Sequence, residues 1–167
     1  LLNAATQGSV VFFRDLAARP SALTRVPLTI TTESSPQFLL SDQPEYFLTG
    51  DGIALQEDVK PGVVRLYLYH VPEPTGARKT ITAMLENLGS APLNFRFLRR
   101  GCPAPGGDYG GIARQAMVAF LKSPPESELH QVAPGGRAPL DEALEKVVVT
   151  KDQLVHGFYE IEIDQPA

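Results

Sequence analysis

The most suggestive chemistry in this sequence lies in a glycine-rich segment, residues 101–111, that precedes a predicted helix. Free N–H groups at a helix N-terminus favour anions, and two arginines lie just upstream of the segment. The candidate residues for binding a phosphate or carboxylate are Arg99, Arg100, Gly110 and Gly111. The segment lacks the spacing of a P-loop or of a dinucleotide-binding fingerprint, and Asp108 would repel an anion. A flexible linker with a helix cap is the simpler interpretation.

A second candidate site is aromatic. Tyr67 and Tyr69 project from one face of a predicted strand, beside Arg65. Aromatic side chains combine a large apolar face with a polar edge, so this pair could bind a small molecule or a carbohydrate. The chain contains no tryptophan, which weakens the carbohydrate interpretation. Packing between sheets is the alternative role for the two tyrosines.

The histidines could in principle hold a metal ion. His70, His130 and His156 are too scattered to form the ligand spacing of a zinc site. Histidines from distant strands do converge in jelly-roll enzymes, so a metal-dependent jelly-roll enzyme stays open as an alternative. His70 lies on the strand face shared with Leu66 and Leu68, which favours a partly buried, hydrogen-bonded role.

The remaining reactive side chains form no recognisable catalytic motif. Cys102 lies in a loop without a neighbouring base. Glu160 and Glu162 share a strand face, where paired carboxylates usually keep an edge soluble. We therefore predict no catalytic residue, no metal ligand and no cofactor, and the sequence favours a protein without enzymatic activity.

Composition sets the class of protein. The chain has 167 residues, the length of one domain, and a formal net charge of -4. That charge argues against nucleic-acid binding, because affinity for phosphate comes mainly from clustered cations. One cysteine excludes an internal disulfide framework, and no apolar run approaches the length of a membrane helix. The chain begins at Leu1 rather than Met, for which removal of an export signal is one explanation.

Short apolar runs with period-two alternation, separated by Gly and Pro, predict a mainly β fold. The predicted strands are residues 10–13, 21–32, 37–41, 52–59, 63–71, 78–87, 93–100, 129–133, 147–150 and 158–164. The sequence Lys60-Pro61-Gly62 predicts a hairpin between 52–59 and 63–71, and residues 87–92 predict a second hairpin between 78–87 and 93–100. Both faces of 63–71 are fairly apolar, so this strand is predicted to lie mid-sheet.

One helix is predicted at about 108–122. Asp108 is the predicted N-cap, and Pro124-Pro125 ends the helix. The predicted apolar stripe consists of Ala113, Ala116, Met117, Phe120 and Leu121. The pattern as a whole predicts one domain over 1–167, an antiparallel β-sandwich with this helix inserted and with 1–20 as a peripheral segment. A jelly roll is the alternative fold.

Several segments resemble a group of uncharacterised bacterial β-sandwich modules that occur in exported or surface-associated proteins. The segments are Gly62-Val63-Val64-Arg65-Leu66-Tyr67-Leu68-Tyr69-His70-Val71, Thr75-Gly76, Leu85-Glu86-Asn87-Leu88-Gly89, Arg99-Arg100-Gly101 and Asp108-Tyr109. The resemblance covers residues 38–122. It implies an immunoglobulin-like fold and an extracellular or cell-envelope location, and it implies no reaction, ligand or catalytic residue.

These observations together predict a non-catalytic extracytoplasmic module for adhesion, spacing or partner binding. The expected partner is another protein or a component of the cell surface, not a nucleic acid. Loops carry binding residues more often than the elements they connect, so we expect a binding patch around residues 72–77 and 101–111. A small-molecule or carbohydrate-binding module is the alternative.

Overall fold

The structure is a computed structural model that describes residues 29, 36–47, 51–73 and 78–167. The chain divides into two units, Leu1–Ser34 and Ser35–Ala167, and every described residue except Thr29 belongs to the second. The strands predicted at 10–13 and 21–32 lie, except for Thr29, outside the described residues, as do the predicted peripheral segment and residues 74–77.

The described part of the chain is mainly β, as the alternation predicts. Its elements are β1 (Gln37–Ser41), β2 (Tyr46–Phe47), β3 (Gly62–Pro72), β4 (Lys79–Thr80), β5 (Met84–Glu86), β6 (Leu93–Gly101), α1 (Tyr109–Lys122), β7 (His130–Val132), β8 (Arg137–Pro139), α2 (Glu142–Glu145), β9 (Val148–Val149) and β10 (Val155–Ile163).

Within the described residues, six strands form one mixed sheet in the order β1–β3–β10–β6–β7, with β2 paired to the end of β3. Strand β3 lies mid-sheet, which confirms that prediction. Strands β1 and β2 run parallel to β3, whereas β10, β6 and β7 pair antiparallel. The prediction of a wholly antiparallel arrangement is therefore wrong at this edge.

One face of the sheet, which we call the core face, carries the main hydrophobic core. Along β10 the buried side chains of Tyr159, Ile161 and Ile163 alternate with Glu160 and Glu162, as predicted. The core face also carries Val64, Leu68, Phe95 and Phe97 from the neighbouring strands. Period-two alternation sends every second side chain of a strand to the same face, so the local pattern alone selects this core.

The core face is covered by two short ribbons rather than by a second complete sheet. Strand β4 pairs with β9, and β5 pairs with β8. The buried side chains of Leu85, Leu140, Leu144 and Val149 come from this cover and its loops. Among the described strands, β1 and β7 lie at the two ends of the main sheet, so these strands do not close into a barrel.

The opposite face, which we call the helix face, is partly covered by α1, which packs on β6 and β10. The predicted N-cap is confirmed, since the Asp108 carboxylate accepts a hydrogen bond from the backbone of Gly111 at 2.9 Å. The predicted stripe is confirmed at Ala116 and Phe120, which are buried, together with Ile112 and Gly111. Of the other stripe positions, Ala113 is half-buried, whereas Met117 and Leu121 are exposed.

Both predicted hairpins are wrong, because strand pairing is decided by distant segments. Residues 52–59 form no strand, and Val59 exchanges backbone hydrogen bonds with Ala167 instead. Strand β5 pairs with β8, and β6 pairs with β10 and β7. The buried Asn87 side chain donates to the carbonyl of Ala91 within the loop and to that of Val132 on β7, so the loop is tied to β7.

Candidate functional site

Four of the five tyrosines converge on the helix face, near the end of β3. Tyr67 and Tyr69 lie on β3, and Tyr46 lies on β2 beside Val71. Tyr109, the first residue of α1, packs with Tyr69 against a small core of Val71, Ile112 and Leu154. We call Tyr46, Tyr67, Tyr69 and Tyr109 the tyrosine cluster. It contains both aromatic residues that the sequence indicated as ligand-binding candidates.

The rings of Tyr67 and Tyr69 are nearly parallel. Their planes differ by 5° and their centroids are 6.3 Å apart, because residues two positions apart on a strand project side by side. His156 on the adjacent strand crosses both rings at 68°, with centroids 4.9 and 5.3 Å away. His156 is buried, so it supports the pair from below. The two tyrosines are therefore held in one orientation and stay partly exposed.

The hydroxyl groups of the cluster influence one another. Burial raises the pKa of Tyr109, and the neighbouring Tyr46 hydroxyl raises it further. Burial also raises the pKa of Tyr69, followed by the charge of Glu45 and the proximity of Tyr46. These effects favour the protonated hydroxyl groups of Tyr69 and Tyr109, which can both donate and accept hydrogen bonds.

An acidic turn borders the cluster. Residues 42–45 connect β1 to β2, and the turn is fastened to β3 by a hydrogen bond from the Val71 N–H to the Glu45 carbonyl at 2.7 Å. The carboxylates of Asp42 and Glu45 contribute to the raised pKa of Tyr67, after burial and Tyr69. Among the described residues, no Lys or Arg forms an ion pair with either carboxylate. The site thus combines aromatic rings with free acceptors.

The structure does not bring together the four residues of the predicted anion corner. The N–H of Gly111 is occupied by the Asp108 carboxylate. The backbone N–H of Arg100 lies 3.2 Å from Ser123 Oγ, at the other end of α1. Ser123 is about 18 Å from Gly111 along the helix axis at 1.5 Å per residue. A ligand-binding role for these residues therefore stays a prediction without a common site.

The arginines near residue 100 contact different residues. Arg96 pairs with Glu162 at 2.7 Å, where both side chains are largely exposed. Arg99 is exposed and lies opposite Glu160 in the sheet register. Arg100 lies over the Phe97 ring at 4.5 Å and pairs with Glu126 at 2.8 Å and with Asp141 at 3.5 Å. These three arginines therefore have different partners and do not form one cationic site.

A cleft of about 440 Å³ opens beside Arg100 on the core-face side of β6 and β7. Its lining includes Phe95, Phe97, His130, Gln131 and Asp141. The ring of His130 stacks on Phe95 with centroids 4.9 Å apart, and its buried Nε2 atom has no hydrogen-bond partner among the described residues. Arg100 is already held by two carboxylates, so the described residues that line the cleft offer no unpaired Lys or Arg to an anionic ligand.

The histidines lie in three separate places. His70 is buried on the core face, and His156 is buried on the helix face. His130 lies on β7, at the far edge of the sheet. Within the described residues, no group of three or more His, Cys, Asp or Glu side chains could hold a metal ion. The histidine placement therefore gives no support to the metal-dependent jelly-roll alternative.

Cys102 is the remaining reactive side chain. Burial raises the pKa of its thiol, which favours the unreactive protonated form. The thiol packs near Tyr159, whose pKa is raised by burial and then by Cys102. The protonated, largely buried thiol fits a packing role for Cys102.

Comparison with known proteins adds no relative to this picture. No protein-family model, curated protein or solved structure matches the chain. The resemblance to exported bacterial modules therefore stays a prediction from the sequence. In the part of the chain that the structure describes, no helix is long and apolar enough to span a membrane.

Sequence reasoning missed half of the tyrosine cluster. Tyr46 lies between the predicted strands 37–41 and 52–59, Tyr109 lies at a helix start, and both are far in sequence from Tyr67 and Tyr69. One weak signal was present, since Tyr46 and Tyr109 each follow directly after an acidic residue. Their convergence with the other two depends on the pairing of β2 with β3 and on the docking of α1.

Proposed function

We propose that this chain is a non-catalytic, extracytoplasmic module of a variant immunoglobulin-like sandwich type, which binds a partner on the cell surface through the tyrosine cluster. Sequence resemblance supports the extracytoplasmic setting and the immunoglobulin-like classification. The main sheet with its covering ribbons supports a two-layer architecture. The role of such a module would be adhesion, spacing or partner binding.

The observation that carries this proposal is the convergence of four tyrosines on one partly exposed face. Tyrosine is enriched at binding surfaces because it supplies a large rigid contact area together with a polar group, at low cost in conformational entropy. Tyr46 is 41% exposed, and the face continues along β1 through Phe38 and Leu40, which are 58% and 48% exposed. Exposed large apolar side chains that lie together mark interaction sites.

The proposal is tested by measuring binding of the purified protein to cell envelopes of its source organism, with biolayer interferometry on immobilised protein. The test variant carries Tyr67→Ala and Tyr69→Ala together. We expect the wild type to bind and the double variant to lose at least tenfold in affinity.

The matched control is Leu129→Ala. Leu129 is 64% exposed and precedes β7, at the sheet edge opposite to β2, so its truncation removes apolar surface away from the cluster. Thermal unfolding of each variant establishes that it is folded. Equal binding by the wild type and the double variant, or no binding by the wild type, would overturn the proposal.

A further inference from the structure

We infer that the ligand of the tyrosine cluster is a neutral carbohydrate chain, stacked on the rings and hydrogen-bonded to the carboxylates of Asp42 and Glu45. This inference rests on the proposed function and names the chemistry of the partner. A sugar has C–H groups on its faces and hydroxyl groups around its edge. The C–H groups match the negative faces of aromatic rings. The hydroxyl groups require polar acceptors beside those rings.

The ring geometry favours a sugar over an organic cation. Aromatic cages that bind ammonium groups surround the charge with several rings, and these rings must face inward from different directions. Tyr67 and Tyr69 are parallel within 5°, and the ring that crosses them, His156, is buried. Tyr67 and Tyr69 therefore share one ring orientation, which fits a stacking surface better than a cage.

The charges bordering the cluster favour a neutral ligand over an anionic one. Asp42 and Glu45 lie in the turn that is fastened to the end of β3, next to Tyr46. Like charges close together repel, and the cation on the same strand face, Arg65, is already paired with Glu160, so an acidic polysaccharide or a phosphate group would lose affinity here. Sugar hydroxyl groups, in contrast, donate to carboxylates in hydrogen bonds that are stronger than those between neutral groups.

The length of the surface favours a chain over a single sugar. In the sheet register Phe38 lies opposite Arg65, Leu40 lies opposite Tyr67, and Tyr46 lies opposite Val71. The stretch of β3 from Arg65 to Val71 spans about 20 Å at 3.3 Å per residue, which is the length of a short linear oligosaccharide. A longer ligand contacts more rings, so affinity should rise with chain length until the surface is filled.

The experiment measures binding of the full chain to cellohexaose, xylohexaose, mannohexaose and N-acetylchitohexaose by isothermal titration calorimetry. The corresponding disaccharides test the length dependence, and hexagalacturonate serves as the anionic counterpart. Because the chain has no tryptophan, tyrosine fluorescence provides a second readout at the site itself. We expect at least one neutral hexasaccharide to bind, at least tenfold tighter than its disaccharide and tighter than hexagalacturonate.

Three variants locate the binding. Tyr67→Phe keeps the ring and should retain most of the affinity, whereas Tyr67→Ala should lose at least tenfold. Asp42→Asn together with Glu45→Gln removes two negative charges with side chains of nearly the same size and should weaken binding severalfold, and thermal unfolding at neutral pH shows whether this variant is folded. Leu129→Ala should bind as the wild type does.

The outcomes separate this inference from the proposed function. If the protein binds cell envelopes through Tyr67 and Tyr69 but binds no neutral hexasaccharide, the carbohydrate assignment is wrong and the binding function stands. Protease treatment of the envelopes then identifies a protein partner by loss of binding, whereas periodate treatment identifies a glycan. If neither envelopes nor oligosaccharides bind, both proposals fail.

Discussion

The Nε2 atom of His70 lies 2.8 Å from the hydroxyl oxygen of Ser41, and its Nδ1 atom lies 2.9 Å from the carbonyl oxygen of Pro44. A carbonyl can only accept a hydrogen bond, so Nδ1 carries the proton and Nε2 of the neutral ring accepts from Ser41. The ring also stacks on Phe47 with centroids 4.7 Å apart. One buried side chain thus joins β1, the acidic turn and β2 to β3.

The first prediction concerns acid pH. Burial lowers the pKa of His70, partly offset by its hydrogen bond to Pro44 and by Asp42, and burial also lowers the pKa of His156, partly offset by Leu68. Below a pH of about 6.5, the unfolded value, the unfolded chain therefore binds more protons than the folded chain. Stability should fall as the pH decreases from there through the lowered folded values, and it should be fully retained above this window.

Urea unfolding of the wild type between neutral pH and pH 5 measures this dependence. The double variant His70→Gln and His156→Gln should be less stable at neutral pH, because it loses fitted ring contacts. Its free energy of unfolding should also depend less steeply on pH in this window. An equally steep dependence in the wild type and the double variant would show that other groups control acid unfolding.

The second prediction concerns the contact between β6 and α1. A Cβ atom placed on Gly101 would lie 2.4 Å from both the carbonyl oxygen of Ala116 and the backbone nitrogen of Phe120. Backbone atoms cannot turn aside as a flexible side chain can, so the helix would have to shift. We expect Gly101→Ala to lower the free energy of unfolding by about 1–3 kcal/mol, the usual cost of overpacking.

The matched control for Gly101 is Gly52→Ala. A Cβ atom at Gly52 would have nothing within 4 Å, so this substitution should leave stability unchanged or raise it by a few tenths of a kcal/mol to about 1 kcal/mol. Guanidinium unfolding measures both variants. Equal stability of the two variants would contradict the close helix–strand packing.

The third prediction compares two arginines of the same strand. Arg100 pairs with Asp141, whose side chain is only 9% exposed, and also lies over Phe97. Removing it leaves a largely buried carboxylate with less compensation, so Arg100→Ala should cost about 1–3 kcal/mol of stability. Arg96→Ala breaks a pair in which both side chains are over 40% exposed, and it should cost at most about 1 kcal/mol.

The stability losses of Arg96→Ala and Arg100→Ala should also differ in their dependence on salt. Exposed ion pairs are screened by salt more strongly than partly buried ones, so the effect of Arg96→Ala should shrink at high salt more than that of Arg100→Ala. Thermal or chemical unfolding at low and high salt gives both numbers. A larger loss for Arg96→Ala than for Arg100→Ala would reverse the assignment.

The fourth prediction concerns Tyr159, whose side chain is 1% exposed. Its hydroxyl lies near Cys102 and Asp141, but it forms no hydrogen bond of good geometry with either, or with any other described residue. A buried hydroxyl without a partner destabilises the folded state. Tyr159→Phe should therefore leave the free energy of unfolding unchanged or raise it. A loss of about 1 kcal/mol or more would reveal a hydrogen bond to Asp141.

The residues of β3, β6, β10 and α1 show how much of the fold the sequence predicts. Alternation along β10 selects Ile161 and Ile163 for the core, and Asp108 marks the start of α1, because both signals lie within a few residues. The partners of these strands were not predictable in the same way. The pairing of β10 with both β3 and β6 joins segments that are far apart along the described chain.

The candidate site was likewise predictable from the sequence only in part. Period-two order along β3 placed Tyr67 and Tyr69 on one face, and the sequence by itself determined that pair. Only the tertiary structure brought Tyr46 and Tyr109 to them, through the pairing of β2 with β3 and the docking of α1 on β6 and β10. It also separated Arg100 from Gly111 by the length of a helix. The physical reason is that local patterns decide which way a side chain points, whereas its distant neighbours depend on how the whole sheet buries its apolar surface.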